Sequence, residues 1–423
     1  MTEKRVLGTW EHWCLEMRWN VCVWCDVNGP PLDLDKSKKA VANLIKRHPN
    51  LKYDAVRDGD DFEFVSLTND EIPFSTQTTS EADFISFIEN CLDTPFVHSQ
   101  NNYMWNVTLL QIEGTTLQRL VITFSHSIGD GTSAMILVKD FLSYYQNPFI
   151  EVEELVSLPN ITELMFPNGT SKSDDDMIET IANEIVQETK NKKFCLSWDD
   201  DTNLKGNGVV LSQIQLTSIL NKCKTEKTTI GSAIIAACEL ELGKSGRSTE
   251  IDVDFNVRKR LDSIHLGDDH VGMLIAIDVL RTAVDVQDFW ERARQIRQEL
   301  NRMVDSRSYQ HCSSAIDKAD EKMSLDESFA KLYEEQKMRY VEMNISNIGM
   351  FPFPTKYGEH TIKDMHIVGS NQPEGMNYLL LCNGINDKLC FSLVYDKALF
   401  KRETATGFLN NVISTIEQQS MTQ

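Results

Sequence analysis

"RLVITFSHSIGDGTSAMILVKDFLSYY", residues 119–145, changes its period half-way along. Leu120-Val121-Ile122-Thr123-Phe124 is a β-branched, apolar run of strand type. Apolar residues then recur at helical spacing from Ala134 onward. Between the two patterns lies Ser125-His126-Ser127-Ile128-Gly129-Asp130-Gly131. A histidine at a strand end sits where α/β folds present functional groups. Gly129 and Gly131 allow a tight turn and let main chain or substrate approach the imidazole. Asp130 can orient that ring, or turn away and hold the loop through an arginine. A positioned, neutral histidine can deprotonate a hydroxyl or amine near neutral pH. The following helix is expected to start near Thr132 or Ser133, either of which is a suitable N-cap.

Upstream, "MRWNVCVWCDV" has strand character, and "LDLDKSKKAVANLIKRHP" has helical spacing with Asp35 as the expected N-cap. "LKYDAVRDGDDFEFVSL" forms a hairpin turning at Asp58-Gly59-Asp60, and "SEADFISFIENCL" a helix capped by Ser80. "MWNVTLLQIEGTTLQRLVITFSH" forms a second hairpin, turning near Glu113-Gly114, whose second strand delivers His126. From about 147 to 210 Pro, Asn, Ser and Asp accumulate, interrupted by one helix, "MIETIANEIVQETKN". Order resumes with a strand, a helix capped near Thr217 and a Thr-initiated buried helix containing Ala233, Ala236 and Ala237. Strands follow at "STEIDVDFNVRKRL", near 341–350 and at 377–395, with an amphipathic helix "DVQDFWERARQIRQELNRM" and a final helix over 403–418. The expected division is an N-terminal domain 1–165, a crossover linker 166–205 and a C-terminal domain 206–423, both domains mixed α/β.

Composition narrows the function classes. The chain has 423 residues, 42 Lys+Arg and 63 Asp+Glu, a net charge of −21. That acidity disfavours nucleic acid and anionic membrane surfaces, which need dense basic patches. The N-terminus lacks an apolar run of signal-peptide length, and no 18 consecutive residues are apolar, so a cytoplasmic protein without a membrane span is expected. The ten cysteines are scattered, and the pair Cys22 and Cys25 lies within a strand without a second pair to complete a metal site. No third His or carboxylate lies at ligand spacing near His126, and His265 and His270 occur in a separate loop-like region. No metal is expected. A Gly-x-Ser-x-Gly elbow is absent, which argues against a Ser-His-Asp hydrolase; "GKSGRS" follows a helix and lacks the spacing. Ser125 and Ser127 flank His126 but point to other faces of an extended chain, so neither is an activated nucleophile. His48 reads as a structural residue at a helix end.

"SHSIGDG" resembles the active-site signature of the superfamily containing chloramphenicol acetyltransferase, condensation domains of peptide synthetases, plant BAHD acyltransferases and fungal alcohol acetyltransferases. "LIKRHPNLKYDAV" with "GDDFEF" is similar to its first helix-turn-strand, and "DFNVRKRL" to its Asp-x-Arg-x-Arg-Leu region. "NISNIGMF" resembles its Ser-Asn-x-Gly strand, and "LCFSLVYDKALF" its terminal strand and turn. The likeness is greatest to the alcohol acetyltransferases. No Asp-Phe-Gly-Trp-Gly segment is present, which argues against the plant family, and Asn256 stands where some relatives have Asp.

The resemblance implies a chloramphenicol-acetyltransferase-like fold: two mixed-sheet domains forming a pseudo-dimer, with the active site at their interface. It makes His126 the general base and Asp130 a structural aspartate paired with Arg258, as a clamp between the halves. Gly131 would leave room for the acyl group. Ser346 and Asn347 would position the acceptor or polarise the oxyanion. Arg258 and Arg260 alternate on a strand, with Arg258 taken as the inward one; by the same alternation Ser346 and Asn347 share a face only if the strand is bulged. The implied reaction is direct transfer of an acyl group, acetyl first, from coenzyme A to a small hydroxylated acceptor, by a monomer with no permanently bound cofactor. A free-standing condensation enzyme acting on an amine, and a non-catalytic binding relative, are the alternatives. Coenzyme A is polyanionic and the protein acidic, so a small local basic group, helix N-terminal amides or both must hold it. Lys222, Lys224 and Lys227, just before the Thr-initiated helix, are the candidates; a solvated lysine-rich turn is the competing reading.

Overall fold

The computed structural model describes residues 4–58, 61–69, 71–191, 204–243, 249–261, 266, 269–282, 288–322, 342–371 and 376–421. The strands are β1 (Lys4–Val6), β2 (Asn20–Asn28), β3 (Tyr53–Asp58), β4 (Asp61–Ser66), β5 (Phe74–Thr79), β6 (Trp105–Ile112), β7 (Gln118–Ser125) and β8 (Asn207–Gln215). They continue with β9 (Thr249–Asn256), β10 (Ile275–Thr282), β11 (Met343–Met350), β12 (Lys356–Tyr357), β13 (His360–Gly369), β14 (Tyr378–Ile385) and β15 (Lys388–Asp396). The α-helices are α1 (Thr9–Glu16), α2 (Leu34–Arg47), α3 (Phe84–Asp93), α4 (Gly131–Gln146), α5 (Ile161–Met165) and α6 (Lys172–Asn191). Five more follow: α7 (Leu216–Thr225), α8 (Ile230–Leu242), α9 (Phe289–Ser306), α10 (Ser308–Lys322) and α11 (Arg402–Met421).

Two compact units emerge, and they are not consecutive blocks of sequence. The first joins Met1–Gly169 with Asn256–Ile275 and Met350–Ser370; the second takes Thr170–Phe255, Ala276–Gly349 and Asn371–Gln423. The expected division at 165 and 205 followed the loss of sequence periodicity. By spatial contact, two later segments return to the first unit, and α6 belongs to the second rather than to a linker.

The first unit is built on a mixed six-stranded sheet in the order β12-β13-β2-β7-β6-β5, with a separate three-stranded sheet β1-β4-β3. Its central strands β2 and β7 are antiparallel, pairing Asn20 with Ser125 and Val23 with Ile122. Val21, Cys22, Val23, Trp24 and Cys25 are all buried. Successive side chains point to opposite faces, so both faces of β2 are covered; on one, Trp24 meets Phe84 of α3 edge-on. Two strands of this sheet lacked a periodic signal. β5, "FSTQTT", is a largely exposed edge strand whose pattern is polar. β13 shifts register against β2 between Ile362 and Met365, and the irregularity breaks its alternation.

The second unit has its own mixed six-stranded sheet, ordered β10-β9-β11-β14-β15-β8. β9 and β11 run parallel, while β14 pairs antiparallel with β15 and β15 with β8. α8 and α9 are joined by a buried fork, Arg292 Nε to Glu239 Oε2 at 2.7 Å and Nη2 to Oε1 at 2.8 Å. Four helix starts differ from expectation; α3 begins after Asp83 rather than at a Ser80 cap, and Ser80 Oγ accepts from Asp83 N at 3.1 Å. Asp33, not Asp35, accepts from Lys36 N at 2.9 Å. Asp130, not Thr132 or Ser133, caps α4. α7 starts after Gln215, and its Thr217 gives both N and Oγ1 to Asp387 instead. Gly59, Asp60 and His265 lie outside the described residues. The nine described cysteines, Cys22 and Cys25 included, are free thiols. No helix of the described residues is long and apolar enough to cross a membrane.

One buried carboxyl in the second unit has a thermodynamic signature. Asp252 of β9 lies opposite Asn344 of β11, is 3% exposed, and leaves Oδ1 without a hydrogen-bond partner among the described residues. Burial first, then the negative neighbours Asp254, Glu250 and Asp278, push its pKa well above the carboxylate range. A raised folded-state pKa means stability is full below the unfolded value of about 3.9 and is lost as pH rises toward the folded value. Asp252→Asn should therefore raise the melting temperature at pH 7, and the gain should shrink toward pH 4. Differential scanning fluorimetry across that range checks it; a pH-independent difference would contradict the assignment.

Candidate active site

β7 ends at Ser125, and the chain tightens into a short 3-10 turn, His126–Ile128, before α4 begins at Gly131. The turn is tied to the residue before β2: His126 N donates to Trp19 O at 2.8 Å. The imidazole is half-buried, and neither ring nitrogen hydrogen-bonds to a described residue, Nδ1 being buried without a partner. Ser125 and Ser127 do not point apart as an extended chain would require. Ser125 ends β7 and caps the 3-10 turn, Ser127 lies within it, both are buried, and their hydroxyls bond each other at 2.9 Å. Gly129 is extended, so its requirement is space rather than a left-handed turn. A Cβ there would lie 2.9 Å from the Phe124 ring and 3.1 Å from Ser133 Cβ. Gly131 is the first residue of α4 and is half-buried.

Asp130 is wholly buried. Its Oδ1 accepts from Ser133 N at 2.8 Å, Ser133 Oγ at 2.9 Å and Arg258 Nη2 at 3.0 Å. Its Oδ2 accepts from Arg258 Nη1 at 2.7 Å and Leu274 N at 3.0 Å. With both oxygens engaged and neither bonded to His126, Asp130 holds the loop and does not orient the ring. Burial alone would raise its pKa, but the Arg258 charge and hydrogen bonds, with those of Ser133, hold it below the usual carboxylate value.

Arg258 is 1% exposed and sits in a turn after β9, not on a strand; Lys259 and Arg260 of the same turn face solvent. Its Nη2 also reaches His270 O at 3.1 Å and Gly272 O at 3.3 Å. Asn256 accepts from Arg258 N at 3.0 Å through Oδ1, and its Nδ2 donates to Thr132 Oγ1 at 2.9 Å. An amide supplies both an acceptor and a donor here, which a carboxylate could not. Asp130 and Arg258 are 128 residues apart yet belong to the same unit, so the expected clamp between halves is a clamp within the first unit. Ser133 completes it, with Oγ also 3.1 Å from both Gly272 N and Gly272 O. Sequence reasoning missed Ser133 in this role; its signal was a serine three residues after Asp130, at the position an N-cap serves.

His48 is structural. It is buried at the end of α2, with Nε2 3.0 Å from Asp140 Oδ2 of α4, and burial lowers its pKa.

Ser346, Asn347, Lys222, Lys224 and Lys227 belong to the second unit. β11 pairs with β9 through Ile345; beyond it Ser346 is half-buried and Asn347 exposed. Asn347 lies over the start of α8, its Nδ2 2.7 Å from where a Cβ on Gly231 would stand, so Gly231 is needed for this approach. Lys222 is committed, with Nζ 3.0 Å from Glu226 Oε1 and 5.7 Å from the Trp290 ring centre. Lys224 and Lys227 are exposed, and Thr229 caps α8 as expected, accepting from Ser232 N at 3.1 Å. Among the described residues no group of three or more His, Cys, Asp or Glu is arranged to hold a metal ion.

No family model and no curated protein matches this sequence. Solved structures do. The trichothecene 15-O-acetyltransferase from Fusarium sporotrichioides is 12% identical and matches 99% of this chain over 96% of its own, with a TM-score of 0.75. The chain has the fold of condensation domains and this acetyltransferase. Polyketide synthase associated protein 5 from Mycobacterium tuberculosis gives a TM-score of 0.74 at 12% identity, covering 99% of this chain and 98% of its own. The first condensation domain of the calcium-dependent antibiotic synthetase gives 0.70 at 12% identity, covering 99% of this chain and 97% of its own.

Breaking a buried ion pair by removing one partner typically costs about 3–5 kcal/mol, because the other charge is stranded. Asp130→Asn and Arg258→Ala should each lower the melting temperature, and the double variant should be little worse than the worse single. A lowered folded-state pKa gives stability that is present above the unfolded value and lost as pH falls through the folded value. Wild type should thus lose stability more steeply than Asp130→Asn below about pH 4. Additive losses in the double-mutant cycle would refute the shared unit.

Proposed function

We propose that the protein is an acyltransferase, in its first form an O-acetyltransferase that uses an acyl-coenzyme A donor and a small alcohol acceptor. The observation that carries this reading is His126: an imidazole with no ring hydrogen bond among the described residues, on a turn fixed by a wholly buried Asp130–Arg258 fork. The fold shared with an acetyltransferase and with condensation domains supports it. His126 takes the proton of the acceptor hydroxyl as its oxygen attacks the thioester carbonyl. The new C–O bond forms, the C–S bond breaks, and the imidazolium returns the proton to the departing thiolate. No covalent acyl-enzyme is needed, and the donor is a co-substrate rather than a bound cofactor. Ser346 and Asn347 stay candidates for acceptor positioning on the resemblance alone. The condensation-domain likeness keeps amide formation as the second reading; parallel assays with alcohol and amine acceptors separate the two.

His126→Ala should lower turnover with acetyl-coenzyme A and a working acceptor by about 100-fold or more. Its melting temperature should change little, because the side chain makes no hydrogen bond to a described residue. Near wild-type turnover in the purified variant would remove His126 from the mechanism.

Within this reading, Lys224 and Lys227, exposed beside the capped start of α8, are the groups proposed to meet the donor's phosphates. Lys222 is set aside because Glu226 already neutralises it. Reversing both charges, Lys224→Glu with Lys227→Glu, should raise KM for acetyl-coenzyme A several-fold and leave the acceptor KM unchanged. The effect should fade with added salt. A shift in the acceptor KM instead would place the lysines at the wrong substrate.

A further inference from the structure

One face of β2 carries Asn20, Cys22 and Trp24, because side chains two residues apart on a strand point the same way. α3 covers that face. At one end Trp24 meets Phe84 edge-on, with ring centres 5.5 Å apart. At the other, Asn20 Nδ2 donates to Cys91 O at 3.0 Å and to Thr94 O at 2.8 Å. Cys22 lies midway between these contacts, and Cys91 follows Phe84 by two turns on the same side of α3. The two thiols therefore face each other between strand and helix, with Cys22 as a donor to Cys91. Thr123, opposite Cys22 on β7, adds its hydroxyl, which donates to Cys22 Sγ at 3.5 Å. Cys25 belongs to the other face of β2 and takes no part.

The two sulfurs are unlike. Of the nine described cysteines eight are buried, and Cys91 alone is partly exposed. Cys22 is wholly buried behind it. The hydrogen bond from Cys22 first, and that of Thr123 as well, hold the Cys91 thiol below its ordinary pKa against the effect of burial. Burial first pushes Cys22 well above the ordinary value. A thiolate near a helix C-terminus is normally opposed by the unpaired carbonyls there. Here Asn20 engages the carbonyls of Cys91 and Thr94, and Ser370 Oγ donates to Leu92 O at 3.0 Å. An accessible sulfur with donors around it and a second thiol behind it is the arrangement of a reactive and a resolving cysteine.

We propose that Cys91 and Cys22 form a hydroperoxide-sensitive dithiol, in which Cys91 is oxidised first and Cys22 resolves it to a disulfide. This assigns a covalent modification site to the first unit and does not depend on the acyltransferase reading. The Cys91 thiolate attacks one oxygen of hydrogen peroxide, and the O–O bond breaks. The hydroxide that leaves takes a proton from solvent, and Cys91 becomes a sulfenic acid. The Cys22 sulfur then attacks that sulfur. The S–S bond forms, the S–O bond breaks, and the departing hydroxide takes the Cys22 proton. The two thiols lose two electrons in all, and the peroxide is reduced to two waters. A thiol reductant reverses the change by exchange. Asn20, two residues before Cys22, pairs with Ser125 at the end of β7, so the disulfide fastens α3 to the strand beside the His126 turn.

The test treats the full chain with hydrogen peroxide, alkylates the remaining thiols and maps the peptides by mass spectrometry. Wild type should give peptides linked through Cys22 and Cys91, and dithiothreitol should release them. Before oxidation, iodoacetamide should label Cys91 at least about tenfold faster than Cys14 or Cys25, since the accessible thiolate is the reactive form. Cys22→Ser keeps a donor beside Cys91 but cannot resolve it, so Cys91 should then accumulate as a sulfenic acid that dimedone traps. Cys91→Ser should leave Cys22 unmodified. The wild-type map stands by itself should a variant fail to fold. Oxidation of wild-type Cys91 to sulfinic acid without a link to Cys22 would overturn the pairing. So would a link from Cys91 to Cys195, which lies outside the described residues. No change at Cys91 under peroxide would leave the two cysteines as packing residues only.

Discussion

The buried fork between Asp130 and Arg258 organises the first unit around His126. It joins the start of α4 to a segment 128 residues later, and a single carboxylate accepts five hydrogen bonds. Taking an aspartate and an arginine out of water costs several kcal/mol per ion, and only good geometry with satisfied neighbours offsets it. Both conditions hold: the guanidinium is bidentate, and its remaining donors meet Ser133 Oγ, His270 O and Gly272 O. One structural consequence is that the segment 256–275 is drawn into the first unit, although strands of the second unit lie on either side of it in sequence.

α4 is held a second time further along. His48 and Asp140 link it to the end of α2, where burial keeps the histidine from charging readily. With both ties in place, the short turn at His126–Ile128 has little freedom, and the imidazole is positioned by main chain rather than by a hydrogen bond to its ring. An uncommitted ring nitrogen is what a base needs if it is to receive a proton from a substrate. The second unit shows the same economy, with Arg292 and Glu239 forming a buried fork between α8 and α9.

In so acidic a chain, the cations near carboxylates are mostly held in ion pairs. Most arginines near a carboxylate are spent on it: Arg119 on Asp26 and Glu81, Arg294 on Glu226 and Glu291. Lys224 and Lys227 take part in no such pair among the described residues, and they lie beside the start of α8. Anionic substrates of an acidic protein must find such local exceptions, since the overall field repels them.

Much of this protein was legible without coordinates, because local patterns carried it. The period change at residues 119–145 announced β7 and α4, hairpins at 53–66 and 105–125 followed from turn residues, and "SHSIGDG" marked the histidine and its aspartate. What failed were features that depend on distant partners. Edge strand β5 is polar because one side of it faces no neighbour, and the bulge in β13 erased its alternation. Arg258 was read correctly as the inward arginine but for a strand that is in fact a turn. Nothing local tells that Asn256 serves Arg258 and Thr132 together, or that Ser133 completes the fork. Sequence alone determined which residue types stand at the candidate site. Only the tertiary structure decided their partners, because the bonds joining Asn256 to Thr132 and Ser133 to Arg258 span 124 and 125 residues and no periodicity records them.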